Sequence, residues 1–111
     1  MTGGREARIA ANEAVFRLVN ERIEAMNAAF AAITDTFAVV CECGNRDCDA
    51  QIELEPSTYE RVRDDPALFI VIPGHEIADF EDVVEQHAGY HVLRKKGRLG
   101  EAVAEATHPR T

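Results

Sequence analysis

All three cysteines of this 111-residue chain fall within C-E-C-G-N-R-D-C, from Cys41 to Cys48. Thiolates packed this closely are soft ligands for a metal ion, and zinc takes sulfur and imidazole nitrogen in a tetrahedron. Residues two apart on an extended strand point the same way, so Cys41 and Cys43 share a face. Gly44 and the turn chemistry of Asn45 to Asp47 let Cys48 fold back over them. One hairpin tip thus supplies three ligands, and a fourth must come from elsewhere. His75, His87, His91 and nearby carboxylates are the candidates. His75 is the best placed, because it follows V-I-P-G at the end of an apolar strand and a Pro-Gly turn sets its direction. Three thiolates and one imidazole close the shell around one zinc ion per chain, the arrangement of a structural site. Were His75 not a ligand, the open position would hold water, with Glu76 or Glu42 as base, and the chain would read as a small zinc hydrolase.

Two other readings of the thiols stand beside the structural one. Zinc thiolates can be oxidised with release of the metal, which would make the chain a redox or metal sensor. The acidic neighbours Glu42, Asp47 and Asp49 would weaken that reading by repelling free thiolates. A two-iron two-sulfur cluster lacks a recognisable ligand spacing, and the H-x-E with P-C-x-x-C deaminase signature is absent. Ser57 has no glycine elbow, and K-K-G-R-L-G lacks the spacing of a phosphate loop. The carboxylate pairs Asp64–Asp65 and Glu81–Asp82 read as solvated faces.

The elements that must position these ligands show in the periodicity. Phe16, Val19, Ile23, Met26, Phe30 and Ile33 recur at spacings of three and four, the stripe of one long helix over residues 5–34. Arg17, Glu21, Arg22 and Glu24 fall on its other faces. Such a helix spans about 45 Å, more than the remaining chain easily covers. Its narrow stripe therefore predicts either packing across a sheet or a seam with a protein partner or second copy, through Phe16, Val19, Ile23, Met26 and Phe30. Residues 36–43 and 49–55 read as the two strands of a hairpin. Pro56 opens a short helix bearing Tyr59 and Val62 on one face. Leu68 to Ile72 is a buried strand. Ala78 to Gly89 reads as a short helix with Phe80, Val83 and Val84 inward. Tyr90 to Lys96 is a strand, and R-L-G-E-A-V-A-E-A-T-H-P-R, residues 98–110, reads as a weak terminal helix running into a frayed tail. The expected fold is α+β: an N-terminal amphipathic helix over residues 1–35, then a zinc-stabilised domain over residues 36–111 with about four, mostly antiparallel, strands.

Charge and compartment narrow the function. The formal net charge is −8, and the lone basic cluster is Arg94, Lys95, Lys96 and Arg98. Nucleic acid and anionic membrane surfaces are therefore poor partners. The N-terminal stretch lacks the apolar core of a signal peptide, and three cysteines suit a reducing compartment, so the expected location is the cytoplasm. The leading expectation is a small zinc-binding interaction or regulatory protein that forms a homodimer or holds a protein partner.

The knuckle resembles the C-x-C-x4-C site at the end of SET-domain methyltransferases, as a metal site only. Over residues 12–97 the chain also resembles a family of short bacterial, mostly actinobacterial, proteins. The shared motifs are an N-E-x-x-F-R-x-V-N-E-R-I helix, the C-E-C-x4-C knuckle and a P-G-H-E turn. Where that family often opens the second helix with Thr, this chain has Glu55-Pro56. The resemblance implies metal-ligand roles for Cys41, Cys43, Cys48 and His75 and carries no activity with it.

Overall fold

A computed structural model describes residues 2–28 and 35–110. Helix α1 spans Thr2–Ala28, so Phe30 and Ile33 lie outside the described residues. There follow β1 (Phe37–Val40), β2 (Gln51–Leu54), α2 (Pro56–Arg63), β3 (Leu68–Val71), β4 (Glu81–Gln86), β5 (His91–Lys95) and α3 (Arg98–Ala106). The architecture is the expected α+β, with five strands in two antiparallel sheets, β1-β2 and β3-β5-β4.

The hairpin register sets Phe37 opposite Leu54 and Val39 opposite Ile52, so the alternating apolar residues of both strands line one face. That face joins Tyr59 and Val62 of α2 and Leu68, Ile70, Val92 and Leu93 of the larger sheet in one core. The two sheets are linked by the segment after β1, where the Glu42 N–H donates to the Ile70 carbonyl at 2.8 Å.

Two segments depart from the sequence reading. The expected helix at residues 78–89 is largely strand β4, paired with β5. A register shift between Val83 and Glu85 breaks its alternation and turns Val84 outward, 47% exposed. That irregularity left Val83 and Val84 adjacent and apolar, a pattern shared by helices and bulged strands. The tail after α3 is held down: Arg110 bonds Glu21 at 2.8 Å and also pairs with Glu60.

Helix α1 docks through Ile9 and Ala10 near its start and, beyond them, through polar residues. Glu13, Arg17 and Asn20 are wholly buried, while Val15, Leu18, Val19 and Met26 are exposed. Lys95 Nζ donates to Glu13 at 2.6 Å and to Glu81 at 3.2 Å. Arg17 donates to the carbonyls of Pro66 (2.6 Å) and Ala104 (2.7 Å), and its guanidinium lies 4.5 Å from the centre of the Phe69 ring. Asn20 both donates to the Val40 carbonyl and accepts from the Val40 N–H. Glu6 accepts from the Gly100 N–H at the start of α3. These partners lie far away in sequence, so helical periodicity gives no hint of them. Of the expected stripe, Phe16 and Ile23 are half-buried, and Ile23 packs against the core.

Candidate metal centre

The alternation of β1 runs on past its last paired residue. Phe37, Val39, Cys41 and Cys43 are buried in step. The Cys41 N–H donates to the Ala50 carbonyl at 2.9 Å, carrying the hairpin ladder one residue further. Beyond it the chain turns. Asn45 accepts from the Asp47 N–H through its side chain (3.0 Å), and its carbonyl accepts from the Cys48 N–H (3.0 Å). This Asx-type turn brings the third sulfur back over the first two.

His75 arrives from the loop after β3. Pro73 and Gly74 occupy the centre of a turn closed by the His75 N–H donating to the Ile72 carbonyl at 3.0 Å. Gly74 has φ +91°, which a type II turn demands at that position and which a side chain would strain. The turn aims His75 Nδ1 at the sulfurs, 3.5 Å from Cys41 Sγ and 3.7 Å from Cys48 Sγ.

One ligand atom from each of Cys41, Cys43, Cys48 and His75 lies within 4.8 Å of all the others. A tetrahedron with zinc–sulfur bonds of about 2.3 Å and zinc–nitrogen bonds of about 2.0 Å has edges of roughly 3.5–3.8 Å. The two sulfur–nitrogen separations from His75, 3.5 and 3.7 Å, already match that edge, and the whole set lies within about one ångström of it. Cys41 and Cys43 are buried, whereas Cys48 and His75 lie nearer the surface. The other histidines are elsewhere: His87 pairs with Glu85 at 2.9 Å and stacks on Tyr90, and His91 lies in β5.

The electrostatics set the condition for binding an ion. Burial pushes the Cys41 and Cys43 thiols up, and for Cys41 the neighbouring sulfurs add to the rise. The Ile72 N–H, donating to Cys41 Sγ at 3.2 Å, offsets part of it. Without an ion these groups favour the neutral thiol; as thiolates at such distances they would need a positive charge among them, which a divalent ion would supply while displacing their protons.

Glu42 is not beside the sulfurs. The alternation that turns Cys41 and Cys43 one way turns Glu42 the other, into a fully buried cluster. Its Oε2 accepts from Arg63 (2.6 Å) and Asn20 (2.7 Å), and its Oε1 from the Ile70 N–H (3.0 Å). It can serve neither as a base at the metal nor as the repelling neighbour that the sequence suggests. The middle residue of C-E-C instead ties together α1, α2 and β3.

A second link runs from α1 to the knuckle. Asn12 Nδ2 donates to the Gly44 carbonyl at 3.0 Å. A Cβ on Gly44 would stand 2.6 Å from Ile9 Cγ2, so the backbone there lies directly against the helix. Sequence reading placed Gly44 in a turn and missed this contact, although a glycine beside a ligand pair is a signal of close approach.

The basic cluster of the sequence is dispersed. Lys95 is buried between Glu13 and Glu81, Arg94 pairs with Asp65, and Lys96 pairs with Asp82. Glu81, expected on a solvated face, is buried. No helix among the described residues is long and apolar enough to cross a membrane. Comparison with protein-family models, with curated proteins and with solved structures returned no match.

Proposed function

We propose that this chain is a small cytoplasmic zinc-binding interaction protein, in which one zinc ion held by Cys41, Cys43, Cys48 and His75 has a structural role. The observation that carries the reading is the convergence of four soft ligand atoms within 4.8 Å. Three thiolates and an imidazole fill a tetrahedral shell and leave no position for substrate or water, which disfavours a hydrolase. The ion would fasten the β1–β2 hairpin to the loop after β3, and so hold the two sheets and the underside of α1 in register. Metal analysis tests this directly. The purified protein should hold one zinc per chain and show no visible absorption; Cys43→Ser should lose the metal and unfold at markedly lower temperature, since binding and folding are coupled. Iron with visible absorption, or a metal-free protein of unchanged stability, would overturn the reading.

A redox-sensing role is the second reading, favoured by Cys48, which is only half-buried. Mild peroxide should then eject the zinc and loosen the hairpin. Retention of the metal through that treatment would remove the sensor and leave the structural role.

A further inference from the structure

We infer that the outer face of α1, with the groove where it meets the knuckle, docks an acidic amphipathic segment of a protein partner. This rests on the reading of the chain as an interaction protein and supplies the chemistry of its partner. On a helix, Ala11, Val15, Leu18, Arg22 and Met26 form one stripe, with Val19 beside it. Val15 is 59%, Leu18 48% and Met26 69% exposed. Together they offer on the order of 300–400 Å² of apolar surface, the size at which a patch is often functional.

The charges around this patch are one-sided. Although the chain has 20 acidic and 12 basic residues, none of the exposed positions of α1 from Gly4 to Met26 is acidic. The helix turns Glu6, Glu13, Glu21 and Glu24 inward and leaves Arg5, Arg8 and Arg22 outside. Arg5 reaches Asp79 at 3.6 Å, whereas Arg8, Arg22 and Arg46 pair with no carboxylate among the described residues. Arg8 and Arg46 both line a groove of about 450 Å³ together with Ala11, Asn12, Gly44 and Asn45. An apolar stripe running into a groove flanked by unpaired guanidiniums suits a segment with aliphatic residues on one side and carboxylates along its edges.

Charge argues against the other occupants. A second copy packed two-fold on this stripe would bring Arg8 and Arg22 of both chains into a seam without a carboxylate. A bilayer is broad and flat, whereas the groove lined by Arg8 and Arg46 is concave and suits a side chain or chain end better than a lipid surface.

The test uses the full-length, zinc-loaded protein and two labelled helical peptides of about 20 residues, identical except that one carries Glu and the other Lys beside its leucine stripe. Fluorescence anisotropy at low salt should show the acidic peptide binding at least about tenfold tighter than the basic one. Leu18→Asp should weaken it about tenfold or more. Arg8→Glu with Arg22→Glu should reverse the preference between peptides, and every one of these positions is exposed, so the fold is retained. Equal binding of both peptides, or none at millimolar concentration, overturns the inference. So does a dimer in sedimentation, or binding to phosphatidylserine vesicles, that Leu18→Asp abolishes. None of these variants touches the sulfurs, so zinc content stays at one per chain whichever way the peptides behave, and failure here is separable from failure of the metal reading.

Discussion

Glu13→Gln should stabilise the protein at pH 8 and do little at pH 5. Glu13 is fully buried, with one oxygen on Lys95 Nζ at 2.6 Å and the other without a hydrogen-bond donor. Burial, reinforced by the Glu81 carboxylate on the same ammonium, pushes Glu13 up from 4.5 to about 9, against the pull of Lys95. The folded protein therefore keeps a proton on this group between those values, and the unfolded chain does not. Because the folded pKa is the higher one, the stabilisation is complete below about pH 4.5 and is lost progressively as pH rises toward 9. The slope is about 1.4 kcal/mol per pH unit, so roughly 3 kcal/mol disappears between pH 5.5 and 7.5. Glutamine mimics the protonated acid: its oxygen accepts from Lys95 and its amide can donate to Glu81. The variant should lack this slope, and all other titrating groups cancel in the comparison. Thermal melts of both proteins in excess zinc should diverge by on the order of 10 °C across that window for a domain of this size. Parallel pH profiles would refute the buried, protonated Glu13.

Glu42→Gln should cost about 3–5 kcal/mol in urea unfolding, because it leaves the Arg63 guanidinium buried without its counter-charge. Gly44→Ala should cost about 1–3 kcal/mol and shift the amide resonances of α1 near Ile9, since the new methyl must displace the helix. Arg110→Ala should cost about 1 kcal/mol at low salt and less at high salt. Its bonds help hold Glu21 and Glu60 below the ordinary carboxylate range, stabilisation present above about pH 4.5 and lost as pH falls below it. The variant should accordingly show a flatter acid limb.

The cluster of three cysteines and His75 was readable because its signals are local. C-x-C on a strand, a turn after it and Pro-Gly before a histidine each act within a few residues, and the structure brings all four side chains together. The hairpin, α2, β3 and β5 were readable for the same reason. What the sequence hid was every arrangement decided by distant partners. Arg17 looks like a surface residue until Pro66 and Ala104 offer their carbonyls. Lys95 looks like part of a basic patch until Glu13 and Glu81 enclose it. Strand β4 looks helical until β5 provides its ladder and accommodates the bulge. The stripe of α1 divides between the two expectations drawn from it: Ile23 packs against the core, Val19 and Met26 stay exposed, and the positions the helix buries most deeply, Glu13, Arg17 and Asn20, are polar residues that hydrophobic spacing does not pick out.

That polar seating has a mechanical consequence. A helix lying on greasy neighbours can slide or roll by a turn at small cost, because one aliphatic contact replaces another. Helix α1 has no such freedom. A shift of one turn, about 5.4 Å, would strand Glu13 away from Lys95, Arg17 away from its two carbonyls and Asn20 away from the Val40 backbone, all at once. The helix is keyed to a single seat, and it should come away from that seat as a unit rather than creep along it.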